Sequence, residues 1–156
     1  MDEYAEIIAN AWQQSHLPSS VSLIIEPGAR AVTSCGSLLT CTTSIKQRAY
    51  GPVVFLDMGH NLLPGADYHE YSISALQPSS AATEPRHYML CGSLCDSWDN
   101  IAAYVVLPVL CPGDVLCISD VGSYDMMCSF SWQIPRARAI WVDPGQGWKV
   151  SVKANR

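Results

Sequence analysis

The chain of 156 residues is long enough for one domain with a hydrophobic core and too short to predict two. Hydrophobic residues at 49% and charged residues at 15% indicate an ordered globular protein and argue against intrinsic disorder. The net charge of -5, with no basic tract, argues against nucleic acid as a partner. No stretch reaches the roughly 18 apolar residues that span a bilayer, so no membrane partner is expected.

The sequence contains seven cysteines, an odd number. Residues 1–3 are acidic, whereas a secretory signal peptide would begin with basic residues and continue with apolar ones. We therefore expect reduced thiols in a cytoplasmic protein. Neither the pair Cys91 and Cys95 nor the pair Cys111 and Cys117 has the spacing of a zinc site, so no metal site is predicted. A cysteine hydrolase that uses Cys95 with a histidine has no local signature in its favour.

The beginning of the chain has the pattern of one α/β unit. Apolar side chains recur at three- and four-residue spacing over residues 3–14, which predicts a helix. A loop follows, and the apolar run at 21–25 predicts a short buried strand that ends in a sharp Glu-Pro-Gly turn at 26–28. Nothing later in the chain repeats this unit. Since a parallel strand needs neighbours of its own kind, the unit resembles the end of a larger α/β barrel.

From Ala31 onwards the pattern is that of β-structure. Further strands are predicted at 32–43, 53–56, 68–74, 86–90, 115–118, 129–132 and 137–142, with apolar segments flanking the 91–99 loop. The clearest element is the terminal hairpin, because apolar and polar residues alternate over 148–153 after a Pro- and Gly-containing turn. We therefore predict a mainly β fold: an antiparallel β-sandwich or Greek-key barrel domain over 31–156, preceded by a helix-strand unit over 1–30.

The densest group of reactive side chains is Cys95-Asp96-Ser97-Trp98-Asp99. It places a thiol, two carboxylates and an indole in five residues between two apolar segments. Without further information, Cys95 would be interpreted as a buried and inert thiol, because that is the commoner state of cysteine.

Four motifs follow one another in a fixed order over nearly the whole chain. They are Glu26-Pro27-Gly28-Ala29-Arg30; Val54-Phe55-Leu56-Asp57-Met58-Gly59; Cys91 to Asp99; and Leu107-Pro108 with Pro112-Gly113-Asp114 and Asp120-Val121-Gly122-Ser123-Tyr124. Together they resemble the carboxy-terminal part of the fold-type III pyridoxal-phosphate decarboxylases, whose members decarboxylate ornithine, diaminopimelate or carboxynorspermidine. The corresponding family motifs are Glu-Pro-Gly-Arg, Val-Asp-x-Gly, Gly-Pro-x-Cys-(Asp/Glu)-x-x-Asp, and Leu-Pro with Gly-Asp and Gly-Ala-Tyr.

The resemblance implies pyridoxal 5'-phosphate as the cofactor and assigns four residues to it. Glu26 would face the pyridine nitrogen and keep it protonated. Gly28 would let the backbone approach the phosphate, as a residue without a side chain allows. Arg30 would be the phosphate-binding arginine, and Tyr124 would lie against the cofactor or its phosphate.

The resemblance also implies roles for the cysteine loop. Cys95 would be the catalytic thiol that returns a proton to the substrate carbon after carbon dioxide leaves. Asp96 would pair with the distal ammonium of a small basic amino-acid substrate. Trp98 and Asp99 would fix the loop. In this family the loop crosses a dimer interface and completes the active site of the other subunit.

Several features depart from the family pattern. Ala29 takes the place of the phosphate-binding arginine, and in a strand the one-residue offset would turn Arg30 to the opposite face. Around 61–71 the Arg and Tyr with which diaminopimelate decarboxylases hold their substrate are not evident, although Tyr68-His69-Glu70 is retained, and this argues against diaminopimelate as substrate. The Schiff-base lysine of the family belongs to the first part of the barrel, and Lys46, Lys149 and Lys153 do not occupy barrel positions.

Two hypotheses follow. In the first, the chain is the carboxy-terminal half of a split decarboxylase, and a barrel-bearing partner chain brings the lysine, with the pairs assembled as a dimer. In the second, the chain is a non-catalytic binding or assembly subunit derived from the family. Both predict a partner for the strand at 21–25, since an unpaired strand edge is an aggregation hazard.

Overall fold

The computed structural model describes residues 2–80, 84–143, 145 and 147–152. The elements, in chain order, are helix α1 (Asp2–Gln14), strands β1 (Ser37–Arg48), β2 (Gly51–Leu56), β3 (Ile73–Leu76), β4 (Arg86–Cys91), β5 (Asn100–Leu107) and β6 (Val115–Ser119), helix α2 (Tyr124–Cys128), and strands β7 (Ala139–Asp143) and β8 (Gly147–Val152). Two 3-10 turns, Ala29–Ala31 and Thr33–Cys35, precede β1. The prediction of a mainly β fold behind one leading helix is confirmed.

Six strands form one sheet in the order β3-β6-β1-β2-β4-β5. The long strand β1 is shared, because its first half pairs with β6 and its second half with β2, on either side of an irregularity between Thr42 and Ser44. All neighbouring pairs are antiparallel except β2 and β4, which run parallel. Cα atoms of the edge strands β3 and β5 come within 8 Å of each other, so the sheet curls towards a barrel.

The core lies inside this curled sheet. Its fully buried side chains alternate along the strands, as the two faces of a strand require, and include Val54, Leu56, Leu90, Leu116 and Ile118. Burying each such side chain contributes about 1.5–3 kcal/mol. The terminal pair β7 and β8 forms a separate antiparallel hairpin, which confirms the predicted one.

Two predicted strands were wrong, and one short helix was missed. Residues 21–25 form no strand, because an extended segment becomes a strand only when a neighbour accepts its hydrogen bonds. Residues 129–132 form only an isolated bridge between Trp132 and Ile134. Helix α2 was not predicted, since five residues are too few for a helical period.

The amino-terminal part of the chain leaves apolar side chains uncovered. Ile7 on α1 and Leu17 after it are more than half exposed. The same holds for Ile25, and Ile24 is 83% exposed. Among the described residues, no helix is long and apolar enough to cross a membrane.

Candidate functional site

The parallel pairing of β2 and β4 brings two of the sequence motifs together. Carboxyl ends of parallel strands lie at the same edge of a sheet, so residues 57–60 after β2 lie beside residues 92–95 after β4. The backbone N–H of Ser93 donates to the carbonyl oxygen of Met58 at 2.9 Å, and that of His60 donates to Asp99 Oδ1 at 2.7 Å. The loop that carries Cys95 is therefore built onto the end of β2.

The backbone around Cys95 is held residue by residue. The four successive N–H groups of 92–95 donate, in order, to the Asp99 carbonyl oxygen (2.9 Å), the Met58 carbonyl oxygen (2.9 Å), Asp99 Oδ2 (2.7 Å) and Gln133 Oε1 (2.9 Å). The side chain of Cys95 is nevertheless exposed. A fixed backbone with an accessible thiol is the arrangement that a reacting group needs, since positioning lowers the cost of reaching the reactive geometry.

Asp99 organises this loop. It is 4% exposed, and its carboxylate accepts the backbone N–H groups of His60 and Leu94, both at 2.7 Å. The backbone of Gly92 lies so close to the carboxylate that no Cβ fits there. The loop-fixing role predicted for Asp99 is confirmed. The same prediction for Trp98 was wrong, because its indole is 71% exposed.

Two other side chains of the loop differ in what they can do. Asp96 is half-buried, and its Oδ1 accepts the backbone N–H of Trp98 at 3.1 Å in a local turn. Burial, and secondarily the Asp99 carboxylate, raise the pKa of the Cys91 thiol, so this thiol stays protonated at neutral pH. Cys91 is also only partly exposed, whereas Cys95 is exposed.

The segment 130–134 packs against the residues that follow β2. The buried side chain of Asn61 donates through Nδ2 to the carbonyl oxygen of Phe130 at 2.7 Å, and the backbone N–H of Phe130 donates back to the Asn61 carbonyl at 3.0 Å. The ring of His60 stands edge-on to Phe130 and Trp132, with centroid distances of 6.2 and 6.0 Å. Its Nδ1 lies 3.5 Å from Asp99 Oδ1. Sequence reasoning missed His60, Asn61 and Gln133.

A second group of functional candidates lines a cleft of about 80 Å³. Its walls include Ala29, Tyr68 and His69, together with Tyr124 and Asp125 at the start of α2. Tyr124 is 59% exposed, so its hydroxyl is accessible. Cys95 and Asp96 are absent from the described residues that line this cleft. The chain thus presents two separate groups of candidate residues.

The far side of the cleft is held by Asp125. This buried carboxylate accepts the hydroxyl of Tyr71 at 2.7 Å and the backbone N–H of Gly65 at 3.2 Å. Burial, followed by the hydrogen bond to Asp125, raises the pKa of Tyr71 well above its ordinary value. The near side depends on close backbone contact, because a Cβ on Gly122 would lie 2.6 Å from the backbone nitrogen of Gly36.

Of the predicted cofactor residues, Tyr124 lines this cleft, and Gly28 and Arg30 flank its lining residue Ala29 in the chain. Glu26 is exposed, and a Cβ on Gly28 would meet no atom within 4 Å, so the backbone there is open to a ligand. Residues 29–31 form a 3-10 turn, so the strand alternation that would turn Arg30 to the opposite face does not apply and that argument was wrong. The side chain of Arg30 lies outside the described part of the structure.

Comparison with known families decides the relationship. A family model described as the C-terminal sheet domain of pyridoxal-dependent decarboxylases matches residues 6–122. The chain belongs to this family. Its members are pyridoxal-phosphate-dependent decarboxylases, as the four motifs indicated.

The relatives are longer proteins. The chain is 31% identical over 133 residues to a diaminopimelate decarboxylase of Pseudomonas aeruginosa, covering 83% of this chain and 31% of the relative. With that of Escherichia coli it is 32% identical over 145 residues, 84% of this chain and 34% of the relative. The structure of diaminopimelate decarboxylase from Helicobacter pylori complexed with L-lysine superposes with a TM-score of 0.81 at 27% identity, over 99% of this chain and 37% of that one. The chain spans about a third of the length of these relatives.

Proposed function

We propose that this chain forms the carboxy-terminal half of a pyridoxal-phosphate-dependent amino-acid decarboxylase whose barrel is carried by a partner polypeptide. The observation that supports this most directly is the uncovered apolar segment at 21–25. It has the composition of a buried strand, forms no strand, and leads through residues 26–28 to Ala29, which lines the cleft. Exposed apolar surface of this kind marks a protein interface.

The cleft fits one wall of a cofactor site. The open backbone at Gly28 and the exposed side chain of Tyr124 offer donors for a phosphate group. Lys46, the one lysine whose side chain is described, lies with Nζ 4.9 Å from the ring centroid of Phe55, on the strands β1 and β2. We therefore assign the Schiff-base lysine to the partner polypeptide.

The residues of this chain would act on protons and on charge. Pyridoxal phosphate, when bound, supplies the electron sink that accepts the negative charge left by decarboxylation. Glu26 would hold a proton at the pyridine nitrogen. Cys95 would deliver a proton from Sγ to the substrate carbon, from a backbone already fixed by its neighbours. Asp96 would hold the distal ammonium of the substrate.

The proposed substrate is a small amino acid with a distal ammonium group. The half-buried carboxylate of Asp96 offers the opposite charge beside the proposed proton donor. The curated relatives are diaminopimelate decarboxylases. However, no arginine lies within 61–71 for the second carboxylate of diaminopimelate, although Tyr68 and Tyr71 lie there. We therefore favour ornithine, lysine or a similar diamino acid over diaminopimelate.

The test is co-expression of this chain with a barrel-bearing polypeptide of the family. We expect a stable complex, assembled as a dimer of pairs, with the absorbance of protein-bound pyridoxal phosphate and release of carbon dioxide from a diamino acid. Cys95→Ala should abolish most of the turnover and leave complex formation intact. Cys128→Ala, a substitution at another exposed thiol, should leave both unchanged. Full activity in Cys95→Ala would refute the assigned proton donor.

A second candidate function is a non-catalytic assembly subunit. The observation in its favour is Ala29, which lines the cleft at the position where the family carries its phosphate-binding arginine. This function predicts a stable complex that shows neither cofactor absorbance nor turnover. The same co-expression experiment therefore separates the two candidates.

A further inference from the structure

We propose that Gln133 is a positioning residue for Cys95. Its side-chain Oε1 accepts the backbone N–H of Cys95 at 2.9 Å, across 38 residues of sequence. The catalytic significance of this contact rests on the proposed function, because that function assigns the proton to Cys95 Sγ. The contact itself involves only residues of this chain.

The hydrogen bond from Cys95 differs from those of the three preceding residues. The N–H groups of 92–94 find their acceptors in Met58 and Asp99, which belong to the loop and to the strand end beneath it. Cys95 is the first residue beyond their reach, and its acceptor comes from a different part of the chain. Without Gln133 the fixed run would end one residue before the thiol.

The backbone at Gln133 is itself constrained. Its φ is 59°, a left-handed conformation that a residue with a Cβ adopts rarely and that persists only where the surrounding structure enforces it. The residues on either side, Trp132 and Ile134, exchange backbone hydrogen bonds at 3.2 and 2.6 Å. Gln133 therefore lies at the tip of a very tight turn, which the hydrogen bonds between Trp132 and Ile134 close.

The base of this turn is anchored independently of the cysteine loop. Phe130 exchanges two hydrogen bonds with the buried Asn61, and Trp132 packs against the ring of His60. Both anchoring residues follow β2, which belongs to the sheet. The position of the amide of Gln133 is thus set by the sheet, and the amide transmits that position to Cys95.

A neutral amide also suits the proton donor that it holds. A carboxylate in its place would keep the acceptor but would add a negative charge beside the thiol, which disfavours the thiolate. Glutamine fixes the backbone and leaves the charge at the site unchanged. This difference allows positioning to be separated from electrostatics by experiment.

The experiment uses the full chain with Gln133→Met, which keeps the side-chain length and removes the acceptor, and Gln133→Glu, which keeps an acceptor. We measure exchange of the Cys95 amide by NMR and the rate of alkylation of Cys95 by iodoacetamide, with the exposed Cys128 as the internal reference. In Gln133→Met the Cys95 amide should exchange about 2- to 10-fold faster, the loss of one hydrogen bond, and the ratio of the two alkylation rates should change.

In Gln133→Glu the amide protection should be retained, while alkylation of Cys95, and not of Cys128, should shift to higher pH. That shift would report the charge which the carboxylate adds near the thiol, while the retained amide protection would report the positioning. Gln133→Asn, whose amide is too short to reach, should loosen Cys95 as Gln133→Met does and serves if the Met variant is unstable. The proposal would be overturned if both Gln133→Met and Gln133→Asn left the exchange of the Cys95 amide and the ratio of the Cys95 and Cys128 alkylation rates unchanged. Since neither measurement needs cofactor or partner, failure of the proposed function would leave them interpretable.

Discussion

Replacing Asp99 tests how the cysteine loop is held. In Asp99→Ala, the backbone N–H groups of His60 and Leu94 lose a buried acceptor that they contact at 2.7 Å. Hydrogen bonds to a charged group contribute about 1.5–3 kcal/mol each. Losing two of them should lower the free energy of unfolding by about 3–6 kcal/mol, a large part of the roughly 5–15 kcal/mol that stabilises a domain.

Asp99→Asn should lower the free energy of unfolding less, by about 1.5–3 kcal/mol. Its side-chain oxygen still accepts one of the two N–H groups, while its NH2 group faces the other and cannot accept from it. The assay is urea unfolding of the chain, monitored by tryptophan fluorescence. The dependence of the unfolding free energy on urea concentration must be the same in variant and parent. Asp96→Asn is the matched control: its carboxylate is half-buried and holds one local N–H, so about 1 kcal/mol or less is expected. A loss below about 1 kcal/mol in Asp99→Ala, or one equal to the control, would refute the reasoning.

Three further predictions concern pH and close packing. Burial alone would raise the pKa of Asp114, but hydrogen bonds from Ser79 and from the backbone outweigh it and lower the pKa. The resulting stabilisation is complete above the ordinary value of about 3.9 and is lost below it. Asp114→Asn should therefore reduce the fall in the free energy of unfolding at acid pH. The pKa of Tyr71 is raised, so its stabilisation is complete below about 10 and is lost above, and Tyr71→Phe should remove that alkaline loss. Urea midpoints measured across pH check both, and identical profiles in variant and parent would contradict them. Gly122→Ala should cost about 1–3 kcal/mol, because its Cβ would meet the backbone of Gly36, and an unchanged urea midpoint would disprove that close approach.

Elements with a regular local pattern could be predicted from the sequence. The helix expected over 3–14 is observed as Asp2–Gln14, and the alternation at the end of the chain is observed as the hairpin of β7 and β8. Helical and strand periods are local properties of the chain, so the residues that form such elements also encode them. The runs at 21–25 and 129–132 did not form the predicted strands, because a strand also needs a neighbouring segment that accepts its hydrogen bonds.

The candidate site could be predicted only in part. The motifs identify Cys95, Asp96 and Tyr124 by residue type and order, and the family match supports the resemblance from which they were taken. The contacts that hold these residues were not predictable. Gln133 is separated from Cys95 by 38 positions, and no motif joins them.

The sequence by itself determined the family, the mainly β fold and the residue types of the cysteine loop, since these depend on composition and on local order. The tertiary structure alone decided that β2 and β4 run parallel, and with it that the loop is built on Met58 and held by Asp99 and Gln133. The physical reason is that strand pairing and long-range hydrogen bonds depend on how distant segments meet in space. Local periodicity does not specify which distant segments come into contact.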